Sequence, residues 1–115
     1  MNTPIFDRKA TLERVEGDVD LLRELVRLAI NMYAEDLPKL RAGVAANDSV
    51  TVSEIAHSLK GAFGNIGAAR CYALCGEIES LARAATLGDL RGRIENLDAE
   101  VLQFQSELQA VLDAV

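Results

Sequence analysis

The stretch Ala56-His57-Ser58-Leu59-Lys60-Gly61-Ala62-Phe63-Gly64-Asn65-Ile66-Gly67 decides how this chain is read, and it holds the only histidine in 115 residues. In a helix successive residues turn by roughly 100°, which lines up Val52, Ile55, Ala56, Leu59, Ala62, Phe63 and Ile66 as one apolar stripe. His57, Gly61 and Gly64 then fall on the opposite face, so the histidine points away from the core. Each glycine inside a helix costs about 1 kcal/mol relative to alanine, a noticeable part of a total stability of about 5–15 kcal/mol. Glycines at i+4 and i+7 strip side chains from the surface beside the imidazole, and Lys60 at i+3 puts a cation at the edge of that bare patch. The stripe continues through Phe63 and Ile66, so the helix is expected to end near residues 65–67 and not at Gly61. A phosphate-cradling loop does not fit: the GxxxxGK[ST] pattern is absent and no strand precedes the run.

Upstream, Val50-Thr51-Val52 is strand-like in composition but has no partner strand in the chain. The sequence therefore predicts a helix over about 49–65, capped by Asp48 or Ser49, with residues 45–49 as the connection. Before it, Asp18 caps a long helix whose apolar face is Leu21, Leu22, Leu25, Leu28, Ala29, Met32, Leu37, Leu40 and Val44. Pro38 removes the hydrogen bond to Ala34, which predicts a kink or two abutting helices. A short first helix, capped by Asp7 with Phe6 before the cap, carries Leu12 and Val15 inward and ends at Gly17.

Downstream, a fourth helix over about 68–85 places Cys71 and Cys75 on one face with Leu74, Ile78, Leu81 and Ala82. Two such thiols read as core residues of a reducing compartment, and two ligands are too few for a metal site. Thr86-Leu87-Gly88 breaks that helix and Asp89 opens the last one. There Leu90, Ile94, Leu97, Val101, Phe104, Leu108 and Val111 alternate spacings of four and three, the seam of a bundle or coiled coil. Three other amphipathic helices and short loops favour burying this seam within one chain, which reads as a monomer. The expected fold is all-α: an antiparallel four-helix bundle with a short N-terminal helix, one domain over residues 1–115.

Half of the residues are hydrophobic, few are aromatic, and the formal net charge is −6. That charge, with no basic patch, argues against nucleic acid as a partner. No apolar run approaches the ~18 residues that span a bilayer, and Met1-Asn2-Thr3-Pro4 lacks the regions of a signal peptide, so the expected setting is cytoplasmic without direct membrane contact.

Ala56, His57, Leu59, Lys60 and Gly61, with Gly67 six residues further on, resemble the A-H-x-L-K-G signature of histidine-containing phosphotransfer (HPt) domains of two-component phosphorelays. Phe6-Asp7, Leu12, Gly17-Asp18 and Asp48 extend the resemblance over nearly the whole chain. It implies that Nε2 of His57 takes a phosphoryl group from a receiver-domain aspartate and hands it to another. It further implies that Lys60 balances the phosphoryl charge and that Gly61 and Gly64 leave room for the receiver's rim. Ser53, Lys60 and Gly64 would then meet the partner, a receiver domain of a response regulator or a hybrid sensor histidine kinase. The resemblance implies no intrinsic cofactor and no turnover alone, hence no enzyme; Mg²⁺ would come with the receiver. Two other readings compete. One is a helical docking module that binds a partner through the same face without carrying phosphate. The other is an enzyme using His57 as general base, for which the sequence displays no carboxylate to orient the ring.

Overall fold

A computed structural model describes residues 4–5 and 8–113. The chain forms α1 (Arg8–Arg14), α2 (Val19–Ala45), α3 (Ser49–Asn65), α4 (Ala69–Arg83) and α5 (Leu90–Asp113). Phe6 and Asp7, expected to open the first helix, lie outside the described residues. Helices α2 to α5 run up and down as a four-helix bundle, with α1 against one end and α3 and α4 the most extensively packed pair. At 1.5 Å per residue the 27 residues of α2 reach about 40 Å, close to the 44 Å length of the molecule, so α2 is the full-length spine.

The turns are tight because the first four helices end in the same way. Glu16, Asn47, Gly67 and Ala85 each take φ between 55° and 71°. At the end of α3, Gly67 N–H donates to the Gly64 carbonyl (3.3 Å) and Ala68 N–H to the Phe63 carbonyl (3.0 Å). The same pair of bonds recurs at the other three ends, satisfying carbonyls that the helices leave orphaned. Asp48 serves two helices at once. Its N–H closes α2 on the Gly43 carbonyl at 2.8 Å, and its side chain caps α3 by accepting from Thr51 N–H at 3.1 Å. Gly43 is buried where α2 crosses α3, and a Cβ there would come within 2.9 Å of the Val52 side chain. The two helices approach closely because that Cβ is missing.

Val52, Ala56, Leu59, Phe63 and Ile66 of the α3 stripe are buried, as are Cys71, Cys75, Ile78 and Ala82 of α4. Fully burying each large side chain of this kind stabilises the fold by roughly 1.5–3 kcal/mol. Both cysteines are free thiols, and burial pushes Cys71 up to about 12, where it is unreactive at neutral pH.

Within the helices the structure narrows or corrects the sequence reading in three places. Leu21 and Leu28 are 44% and 51% exposed, whereas Tyr33 and Gly43 are buried, so the inward face of α2 is centred on Leu22, Ala29, Tyr33, Leu40 and Gly43. Tyr33 can be buried because its hydroxyl donates to Asp98 Oδ1 on α5, and its ring meets Phe63 at 5.9 Å. Second, of the two outcomes expected at Pro38, a pair of abutting helices is not formed: α2 is continuous through the proline. Ala34, whose carbonyl loses its helical partner, is on the exposed side where water can replace the bond. Third, the last buried position of the α5 seam is Leu112, with Val111 only partly buried.

Candidate functional site

Because α3 buries its apolar stripe, His57 stands on the outer face with 64% of its side chain exposed. Its Nδ1 lies 2.8 Å from Oε2 of Glu79, a residue of α4 that is only 4% exposed. Lys60 Nζ donates to the other oxygen, Oε1, at 2.8 Å. Arg83, one turn after Glu79, brings Nη2 to 2.8 Å from Oε2. One buried carboxylate therefore gathers a lysine, an arginine and a histidine.

The Lys60 hydrogen bond holds the Glu79 carboxyl below its ordinary value against the opposing effect of burial, helped by the His57 bond and the Arg83 charge. An ionised carboxylate can only accept, so Nδ1 of His57 carries the proton and Nε2 of the neutral ring carries the lone pair. The exposed imidazole is thus held in the tautomer whose nucleophilic nitrogen is Nε2. Two permanent cations against one carboxylate also leave the cluster with one net positive charge, suited to an incoming anionic group.

The other residues singled out in the sequence have distinct surroundings. Gly61 is exposed, and a Cβ there would meet nothing within 4 Å. Gly64 is covered: a Cβ on it would lie 3.1 and 3.3 Å from Cδ2 and Cε2 of Tyr72. Lys60 is not a free surface cation, since only 27% of its side chain is exposed and its head is bound to Glu79. Ser53 is half-buried and its hydroxyl donates to the Val50 carbonyl of its own helix at 3.0 Å. Arg14 of α1 donates to the Gly64 carbonyl at 2.7 Å and places a cation at the C-terminus of α3.

Glu79 corrects the expectation that His57 has no carboxylate to orient it. The sequence carried a signal: Glu79 borders the stripe of Cys71, Cys75, Ile78 and Ala82, one step round the helix from it. Tyr72, Gly76, Glu79 and Arg83 at i, i+4, i+7 and i+11 form the adjoining ridge, which faces Lys60 across the α3–α4 seam. Among the described residues no group of three His, Cys, Asp or Glu side chains could hold a metal ion. The donors around His57 are cations and a carboxylate they already neutralise, which does not fit a divalent ion. No helix among the described residues is long and apolar enough to cross a membrane.

Comparison with known proteins bears on the fold and the family. The chain is 26% identical over 106 residues to the signal transduction histidine-protein kinase BarA of Shigella flexneri, covering 92% of this chain but 11% of that protein's length. Histidine-containing phosphotransfer protein B of Pseudomonas aeruginosa PAO1 shares the fold at a TM-score of 0.86 and 24% identity, with 99% of each chain covered. The HPT domain of a sensor hybrid histidine kinase from Shewanella aligns at a TM-score of 0.77 and 25% identity over 96% of each chain. The Hpt domain pattern itself matches residues 24–114, most of the chain and all of the α3–α4 site. This chain belongs to the Hpt domain family, the phosphotransfer modules of two-component and phosphorelay signalling.

Proposed function

We propose that the chain is a phosphorelay intermediate: His57 accepts a phosphoryl group from the aspartyl phosphate of one receiver domain and passes it to the aspartate of another. The observation that supports this most directly is the 2.8 Å contact between Nδ1 of His57 and Glu79, which reserves Nε2 for attack. In the forward step the Nε2 lone pair forms a bond to phosphorus as the P–O bond to the receiver's aspartate breaks. The carboxylate leaves with that electron pair. The ring becomes a phosphoimidazolium whose Nδ1–H remains on Glu79, so no proton has to move. The reverse step returns the phosphoryl group to a second carboxylate.

Lys60 and Arg83 provide the positive charge that offsets the phosphoryl oxygens, and Gly61 leaves the partner space beside the ring. Ser53 flanks the same face, where the receiver docks, and Gly64 lies at its edge against the Tyr72 ring. The divalent ion that assists transfer belongs to the receiver, because the charges around His57 are not those of a cation site. In this reading the module is a cytoplasmic monomer, a carrier with no turnover of its own.

The test is intact-mass analysis after mixing the protein with a receiver domain charged by acetyl phosphate in the presence of Mg²⁺. Wild type should gain one acid-labile phosphoryl group. His57→Gln should gain none while keeping the helical content and melting behaviour of wild type, since the side chain is largely exposed. Binding to a receiver without transfer to the wild-type protein would identify a docking module instead.

A further inference from the structure

We propose that Tyr72 is the positioning residue for Lys60, and that residue 64 is glycine so that the Tyr72 ring can lie against α3, not to clear space for a partner. The inference rests on the phosphoacceptor reading of His57 and deepens it. Lys60 is clamped on three sides by the ridge of α4. A Cβ on Gly76 would lie 3.6 Å from Lys60 Cδ, so the lysine stem runs over the bare backbone there. Its ammonium is 2.8 Å from Glu79 Oε1 and 5.9 Å from the centre of the Tyr72 ring. Tyr72 is 47% exposed, and what fixes so open a ring is its seat on the other helix. Cδ2 and Cε2 lie where a Gly64 side chain would crowd them, at 3.1 and 3.3 Å. Gly64, Tyr72, Lys60 and Glu79 thus form a chain of contacts that ends on the Nδ1 of His57. In that chain Gly64 acts through Tyr72, whereas Gly61, with open space around it, has no such neighbour.

The two roles for Gly64 separate in a double-mutant cycle. Single-turnover transfer from a charged receiver is measured for wild type, Gly64→Ala, Tyr72→Ala, Tyr72→Phe and the Gly64→Ala/Tyr72→Ala double variant. The Lys60 side-chain resonances are followed by NMR in the same proteins without phosphate. Gly64→Ala and Tyr72→Ala should each slow transfer about two- to fivefold, the range a partly exposed cation–π contact supports. Tyr72→Phe keeps the ring and should recover most of the rate lost in Tyr72→Ala. The double variant should be no slower than Tyr72→Ala. Lys60 resonances should move when the ring is removed or displaced and stay in place in Tyr72→Phe. In a Lys60→Ala background, Tyr72→Ala should cost nothing further.

Three results overturn the inference. One is a double variant slower than Tyr72→Ala by the whole Gly64→Ala factor, which would put Gly64 directly against the partner. Another is a set of Lys60 resonances indifferent to Tyr72→Ala. The third is a full Tyr72→Ala defect in the absence of Lys60, which would make Tyr72 a partner contact. If wild type accepts no phosphoryl group from any receiver, the relay function fails, yet the Lys60 resonances still decide the positioning role.

Discussion

The α2–α5 seam and the α3–α4 seam each set a polar contact into an apolar bundle, and they are built to opposite purposes. Between α2 and α5, the Tyr33 hydroxyl donates to Asp98 Oδ1 at 2.5 Å. Burial, and then the Asp98 bond, push the Tyr33 hydroxyl far above its ordinary value, so it remains a donor at any physiological pH. One donor meets one acceptor and the contact is closed. Between α3 and α4, Glu79 faces more positive partners than it needs, and one of them is an exposed imidazole. A positive charge and a nucleophilic nitrogen are left over. The first contact offers neither a cation nor a nucleophile, whereas the second leaves both at the surface.

Glu79→Gln should produce the largest break in this contrast. The amide keeps the shape of the carboxylate but loses the charge that holds Lys60, Arg83 and the Nδ1–H tautomer. Hydrogen bonds to charged groups are worth about 1.5–3 kcal/mol, so transfer to His57 should slow by roughly tenfold to a hundredfold. Stability should change with a definite sign. The Glu79 carboxyl titrates below its ordinary value of 4.5 in the fold, so its contribution is present above that value and is lost as pH falls through the lower folded-state value. Urea midpoints of wild type and Glu79→Gln should therefore differ at neutral pH and converge as the pH falls below 4.5 and through the lower folded-state value. A gap that persists into strong acid would mean that packing, not ionisation, gives Glu79 its role.

A smaller effect is expected at the other seam. Tyr33→Phe removes the hydroxyl and leaves Asp98 without its donor, which should cost about 1 kcal/mol, with the rate of transfer to His57 unchanged. Thermal melts and single-turnover transfer measure the two quantities separately. A slowed transfer would show that the α2–α5 contact reaches the site and that the two seams are not independent.

Periodicity in the sequence revealed whatever depends on apolar side chains recurring along one helix. The α5 seam from Leu90 to Leu108 and the α3 stripe were legible in this way, and so was the exposure of the face that carries His57. Tyr33 and Glu79 were not, because their burial is offset by partners on other helices: Asp98, 65 residues away, and His57 and Lys60, 22 and 19 residues away. Lys60 was found by spacing, but its direction is set by Tyr72, Gly76 and Glu79 on α4, which the wheel of a single helix cannot show. The break at Thr86-Leu87-Gly88 was legible from its composition, but the left-handed residue that ends α4 is Ala85, a position with no glycine or asparagine to mark it.

The finest distinction concerns the two glycines of α3. Both lie on the outer face, but a Cβ at Gly61 would enter open space, whereas one at Gly64 would press on Tyr72. Gly61→Ala should therefore relieve the helix of its glycine and stabilise the bundle by up to about 1 kcal/mol, with the Lys60 side chain undisturbed. If Gly61 is kept for the partner's approach to His57, the same variant must bind a receiver more weakly while melting at a higher temperature. Calorimetric titration with a receiver domain and a thermal melt on one preparation measure both quantities. Tighter stability with unchanged affinity would remove Gly61 from the docking face. Weaker affinity with unmoved Lys60 resonances would show that the two glycines of one helix serve different surfaces: Gly61 the partner, and Gly64 the chain's own tyrosine.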